Sequence, residues 1–217
     1  MVRQSSPGWS TEILPIALLA MQRRLDCLTI TDYADLSSRN SPQMIFNVIG
    51  LGADPASADP GRPVGTAAST PPTFRALADA IGLPLDAVTT SIEYAVTLKR
   101  ETIAAGTLQA GTIGAVRMGV TGLKNGKPIL RRFSTWYAVR DLEPKWQLQD
   151  SGWRVQVEGD TSLDVSIAFT VSQENYANYS PRLTAHPIVN ATPYVCKAAP
   201  GILHTSDLPM IVPYLGK

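Results

Sequence analysis

An Asn125-Gly126 pair set between two runs of strand-forming residues constrains this chain more than any other feature. A two-residue type I′ turn needs positive φ at both centres, which asparagine and glycine tolerate, so the pair specifies a β-hairpin. Ahead of it, 111–123 alternates Val116, Met118 and Val120 with Arg117 and Gly119, and 128–139 is the returning strand. Residues 88–98 and 102–108 are further strand candidates, and 153–158 with 163–171 make a second antiparallel pair around Gly159-Asp160. Residues 27–33 share the β-branched and aromatic enrichment of a strand. Strands joined by tight turns imply antiparallel pairing with helices gathered on one face, an α+β fold.

Helical spacing of Ile13, Leu14, Ala17, Leu18 and Met21 predicts a helix over 10–25, distorted in its first turn by Pro15. Ser41-Pro42 opens a short helix to 48, and 73–81 is a helix ending at Gly82. Residues 50–72, dense in Gly and Pro, read as a long irregular surface segment. A proline-interrupted helix is expected over 184–197, within a returning tail over 181–217.

The 217 residues suit one generous domain, 1–217, and 44% hydrophobic residues are enough for a packed core. A net charge of +1 gives no pull towards nucleic acid or an anionic membrane. No apolar run approaches the ~20 residues of a membrane helix, and the first six residues do not form a signal peptide, so a cytoplasmic protein is expected. Cys27 and Cys196 match no metal spacing and read as two reduced, mostly buried thiols.

Few residues signal chemistry by themselves. Gly50-Leu51-Gly52-Ala53-Asp54-Pro55 fails the dinucleotide pattern, since Pro55 holds the third glycine position and a helix precedes it. His186 and His204 are the histidines, and no His-Glu cluster points to a metal. No catalytic residue is assigned. Glu93, in an apolar strand, reads as solvent-facing. Alternation puts Arg132, Ser134 and Trp136 on one strand face. That face is either a concave site with polar groups among apolar walls or an aromatic core beside an exposed arginine.

The opening Ser6-Pro7-Gly8-Trp9, followed by Glu12-Ile13-Leu14-Pro15, resembles the crossover segment of the dihydrodipicolinate-reductase-like amine and diaminopentanoate dehydrogenases. Further likeness runs in register through Asp35-Leu36-Ser37, Ser41-Pro42-Gln43-Met44, Gly50-Leu51-Gly52, Ala105-Gly106-Thr107, Ala110-Gly111-Thr112, Val189-Asn190-Ala191-Thr192-Pro193, Pro200-Gly201-Ile202 and Asp207-Leu208-Pro209. Ser6 departs from the family's asparagine. Phe133-Ser134 stands where many members have Glu-His, and the His-His-x-x-Lys signature of true dihydrodipicolinate reductases is absent.

The resemblance implies the substrate-binding and dimerisation half of a two-domain oxidoreductase acting on a carbonyl/imine–amine pair. NAD or NADP would bind through a Rossmann domain that is missing or separate, with no cofactor expected for this chain alone. Trp9, Arg132, Ser134, Trp136 and Asn190 become candidate substrate contacts, and Ser6, Pro7, Gly8 and Thr205 candidate contacts to the cofactor. The implied partners are a small-molecule substrate, a dinucleotide-binding domain and a second copy of the chain. Pairing of copies is expected through an open sheet face carrying Val116, Met118, Val120, Ile129 and Phe133. A cofactor-free ligand-binding module and a purely structural dimerisation domain remain the alternatives.

Overall fold

The computed structural model describes residues 8–58, 70–201 and 203–216. Its frame is a seven-stranded sheet of order β7-β2-β5-β6-β1-β8-β9, with the strands numbered along the chain. They are β1 Leu25–Asp35, β2 Ala87–Thr97, β3 Glu101–Ile103, β4 Gly106–Leu108, β5 Ile113–Lys124, β6 Lys127–Tyr137, β7 Leu142–Glu143, β8 Gly152–Gly159 and β9 Leu163–Ala168. Strands β3 and β4 form a separate two-stranded hairpin. The sheet is antiparallel except where β1 lies parallel to β6. The expected α+β, mostly antiparallel architecture is therefore the observed one. The parallel pair was invisible to turn-based reading because no turn joins its strands.

The β5–β6 hairpin turns at Asn125 and Gly126, with φ of 51° and 71°. Lys124 pairs with Lys127 and Leu123 with Pro128, but a bulge between Gly122 and Leu123 shifts the register, so that Met118 pairs with Ser134 and Val120 with Arg132. This shift corrects the expected dimer face. A one-residue slip sends a strand's side chains to the other face. Val116, Met118 and Val120 are buried on the face of Leu130 and Arg132, while Ile129 and Phe133 share the opposite, half-exposed face. The expected continuous apolar face does not exist. A Cβ on Gly122 would meet Leu85 Cδ1 at 2.6 Å, so a larger residue at the bulge would have to displace that side chain.

Two apolar clusters build the core. In one, Phe74, Leu77 and Ala78 of helix α2 (Thr70–Ala80) cover Leu28, Ile30, Val120, Leu130, Val155 and Val157. In the other, Ile45, Ile49, Leu51 and Leu108 join Val116, Met118 and Tyr137. Helix α2 starts at Thr70, inside the segment expected to be irregular; prolines 71 and 72 fall in its first turn, where no intrahelical N–H is needed.

The first predicted helix is shorter than its periodicity suggested. A π-helical turn, Trp9–Ile13, leads into α1 (Leu14–Leu19), and β1 has begun by Leu25. A second π-helical segment, Gln43–Ile49, ends at Gly50 with φ of 88°. The last helix, α3 (Gln173–Lys197), starts earlier than expected and runs through Pro181, Pro187 and Pro193. Cys27 is buried as expected, but Cys196 is exposed on α3. Glu93 faces solvent and pairs with Arg117 at 3.4 Å. Among the described residues, no helix is long and apolar enough to cross a membrane.

Candidate functional site

Gly8, at φ 136°, turns the chain into the π-helical segment, and its N–H donates to Thr11 Oγ1 at 2.8 Å. Few side chains reach that φ without strain, so glycine is needed here. The turn delivers Trp9 onto Trp153 of β8, with ring centroids 5.6 Å apart. Trp153 meets Phe169 edge-on at 4.9 Å, and Phe169 lies 5.8 Å from Tyr179 of α3. This aromatic row joins the first turn, the sheet edge and the last helix.

Beside Trp9 opens a cavity of about 680 Å³. Its walls are Trp9 and Ile13 of the π-helical turn, Ile16 and Ala17 of α1, Ala80 and Ile81 at the end of α2, His186, Pro187 and Asn190 of α3, and a stretch of the tail from Thr205 to Pro213. The wall is mostly aliphatic and aromatic, with a few polar groups from α3 and the tail, and its size suits a small organic ligand. Just behind the wall, the buried carboxylate of Glu12 accepts a hydrogen bond from Thr205 Oγ1.

A second polar arrangement lies on the sheet. Asp32 Oδ1 accepts from Arg132 Nη2 at 2.9 Å and from Ser134 Oγ at 2.8 Å. Arg132 Nη1 donates to Thr70 Oγ1 at 2.6 Å, tying the sheet to the start of α2. The arginine side chain is only 3% exposed and the aspartate 15%. Asp32 is also the register partner of Trp153. The trio is thus connected to the cavity through Trp153 and Trp9. Burial pushes the Tyr176 phenol on α3 above its ordinary value, its hydrogen bonds to Ser151 and Ser180 pull the other way, and the Asp32 charge adds to the rise.

Trp9, Asn190 and Thr205, three of the sequence candidates, converge on the cavity. Gly8 stands at the turn beside it, while Ser6 and Pro7 lie outside the described residues. Arg132 and Ser134 belong to the buried trio instead. Trp136 is half-buried and packs against the cluster around Val116 and Met118. Asp32 and Glu12 escaped the sequence reading. The parity Leu28, Ile30, Asp32 put a carboxylate in line with core residues, and Glu12 lies one helical turn before Ile16; both signals were present. Gly50 ends the π-helical segment at φ 88°, and Gly52 belongs to packing. A Cβ on Gly52 would meet Phe46 and Leu108 at 3.3 Å, and a helix rather than a strand precedes them.

Comparison with known proteins fits this architecture. The fold is shared with the structure of an amine dehydrogenase from Mycobacterium smegmatis, at a TM-score of 0.70 and 16% identity, over 97% of this chain and 58% of that one. A family model described as the 2,4-diaminopentanoate dehydrogenase C-terminal domain matches residues 13–217, and the chain belongs to that family. An amine dehydrogenase from Streptomyces virginiae is 26% identical over 94% of this chain and 58% of its own length. The chain thus spans little more than half of each of these relatives.

Proposed function

We propose that this chain, 1–217, is the substrate-binding side of an NAD(P)-linked oxidoreductase acting on a carbonyl/imine–amine pair. The observation that carries the reading is the convergence of Trp9, Asn190 and Thr205 on one apolar cavity beside the first turn of the chain. Family membership supplies the reaction class. In this reading dinucleotide binding falls to a separate domain, as the family resemblance implies. The nicotinamide would supply the hydride; this chain orients the substrate and keeps water out. Trp9 forms a flat wall, and Asn190 offers both a donor and an acceptor for a carbonyl oxygen or an amine nitrogen. The half-exposed sheet face with Ile129, Arg131, Phe133 and Tyr33 is the proposed contact with a second copy. The compartment that fits this chemistry is the cytoplasm.

The test joins the chain to the part of the Streptomyces virginiae relative that it does not cover and follows NADH and NADPH oxidation with a methyl ketone and ammonium. Turnover is expected, and Trp9→Ala should reduce kcat/KM at least tenfold, about 1.4 kcal/mol, when assayed below the melting temperature that loss of the Trp153 contact lowers. Titration of the chain alone with either dinucleotide should give no micromolar binding. Such binding, or a fused protein inert to every ketone tried, would refute the assignment. Sedimentation at tens of micromolar checks the pairing of copies, and a clean monomer would rule it out.

A further inference from the structure

One wall of the cavity belongs to no sheet or long helix. After α3 the chain runs extended over 203–216, apart from the short 3-10 turn Thr205–Asp207. Thr205, Leu208, Met210 and Ile211 of this stretch line the cavity. The turn's backbone hydrogen bonds are local, from Asp207 N–H to His204 O and from Leu208 N–H to Thr205 O. They shape the turn without attaching it to the body.

Attachment comes from two side chains elsewhere. Glu12, only 5% exposed, accepts from Thr205 Oγ1. Tyr194 of α3 grips Val212 twice, its hydroxyl donating to Val212 O and accepting from Val212 N–H, both at 3.0 Å. Neither Glu12 nor Tyr194 lines the cavity itself. Their contact points, Thr205 and Val212, lie at the two ends of the lining stretch, which runs from Thr205 to Pro213. The tail is otherwise largely exposed, with Met210 85% exposed between the two contact points and Tyr214 88% exposed beyond them.

We infer that residues 203–213 form a strap that closes the cavity, and that Glu12 and Tyr194 are positioning residues that latch it. The inference rests on the cavity being the substrate wall proposed above. A wall fixed by a few side-chain hydrogen bonds opens far more readily than one woven into the sheet. Closed, it completes the apolar surround and excludes water from the ligand; open, it gives the ligand a way in. The double grip of Tyr194 on a single residue fixes both the position and the direction of the strap. Glu12, on the turn that also carries Trp9, places the tail wall relative to the aromatic one.

The test uses the full chain with heptan-2-one as probe. Amide exchange over 204–214 is read by mass spectrometry, and affinity by ligand-observed NMR. Tyr194→Phe and Glu12→Ala should each speed strap exchange about tenfold, leave β5 and β6 protected as in the parent, and weaken the ketone at least fivefold. Glu12→Gln keeps an acceptor for Thr205 and should restore both readouts. If Glu12→Ala fails to fold, Tyr194→Phe on the outlying helix carries the test. Strap exchange unchanged in the latch variants overturns the inference. So does a loosened strap with parental ketone affinity. A parent chain that does not bind the ketone at all overturns the cavity reading itself, and the strap role with it.

Discussion

The trio on the sheet and the cavity beside Trp9 use similar residue types in opposite ways. In the trio, Asp32 answers Arg132 and Ser134 at hydrogen-bonding distance, and the group is sealed under α2. Around the cavity, Asn190, His186 and Thr205 are set into an aliphatic wall that is open to a ligand. Charges taken out of water are held by their neighbours, and burial of Arg132 and Ser134 keeps them from a substrate. The trio ties the sheet to the first turn of α2, and the cavity is the proposed ligand site. Polar residue type alone does not locate a site; burial and saturation of partners do.

The largest effect that could break this contrast is at Asp32. Asp32→Ala strands the Arg132 guanidinium in the interior and should cost about 3–5 kcal/mol in a chemical melt. Adding Arg132→Met removes the stranded charge and should recover a good part of that loss. If Asp32→Ala melts like the parent, the trio does not tie the sheet to α2.

Trp136→Ala comes next. Trp136 packs against the cluster of Val116 and Met118 while remaining half-buried. The loss should fall near the lower end of the about 3–5 kcal/mol seen for large aromatic truncations, with ketone affinity unchanged. A near-neutral melt accompanied by loss of ketone binding would move Trp136 to the cavity side of the comparison.

The smallest effect links the two regions. Burial raises the Tyr176 phenol above its ordinary value of 10. A group raised in the folded state contributes stability that is present below the unfolded value and is lost as pH climbs through the folded one. Alkaline pH above about 10 should therefore loosen the start of α3. Tyr176→Phe should flatten that part of the stability–pH curve, read as helix exchange or circular dichroism between pH 9 and 11; an identical curve would show that Tyr176 does not anchor α3.

Much of the fold was legible because it is local. Asn125-Gly126 specified its hairpin, and strand composition located β2, β5, β6, β8 and β9 to within a few residues. What escaped was non-local. The bulge at Gly122 inverted the facing of Val116, Met118 and Val120 relative to Phe133, and no periodicity reveals a bulge. The site was half legible for the same reason. Trp9, Asn190 and Thr205 stand out through family motifs, whereas their convergence depends on three segments far apart in the chain. Arg132 and Ser134 were correctly placed on one face, but their partner Asp32 sits on a strand about a hundred residues earlier, joined to theirs by the parallel register.

That parallel register also sets the order in which the molecule can be made. Strand β1 is made before the rest of its sheet, yet its neighbours are β6 and β8, which end at Tyr137 and Gly159. The β5–β6 and β8–β9 hairpins can close as soon as each is synthesised; β1 must wait for both before it is flanked on its two sides. It is the first strand of this sheet in the sequence, and more than a hundred residues separate it from the second of its two neighbours. Contacts spanning so much sequence slow folding, and during synthesis the apolar residues Leu28 and Ile30 remain uncovered for longer than any hairpin residue.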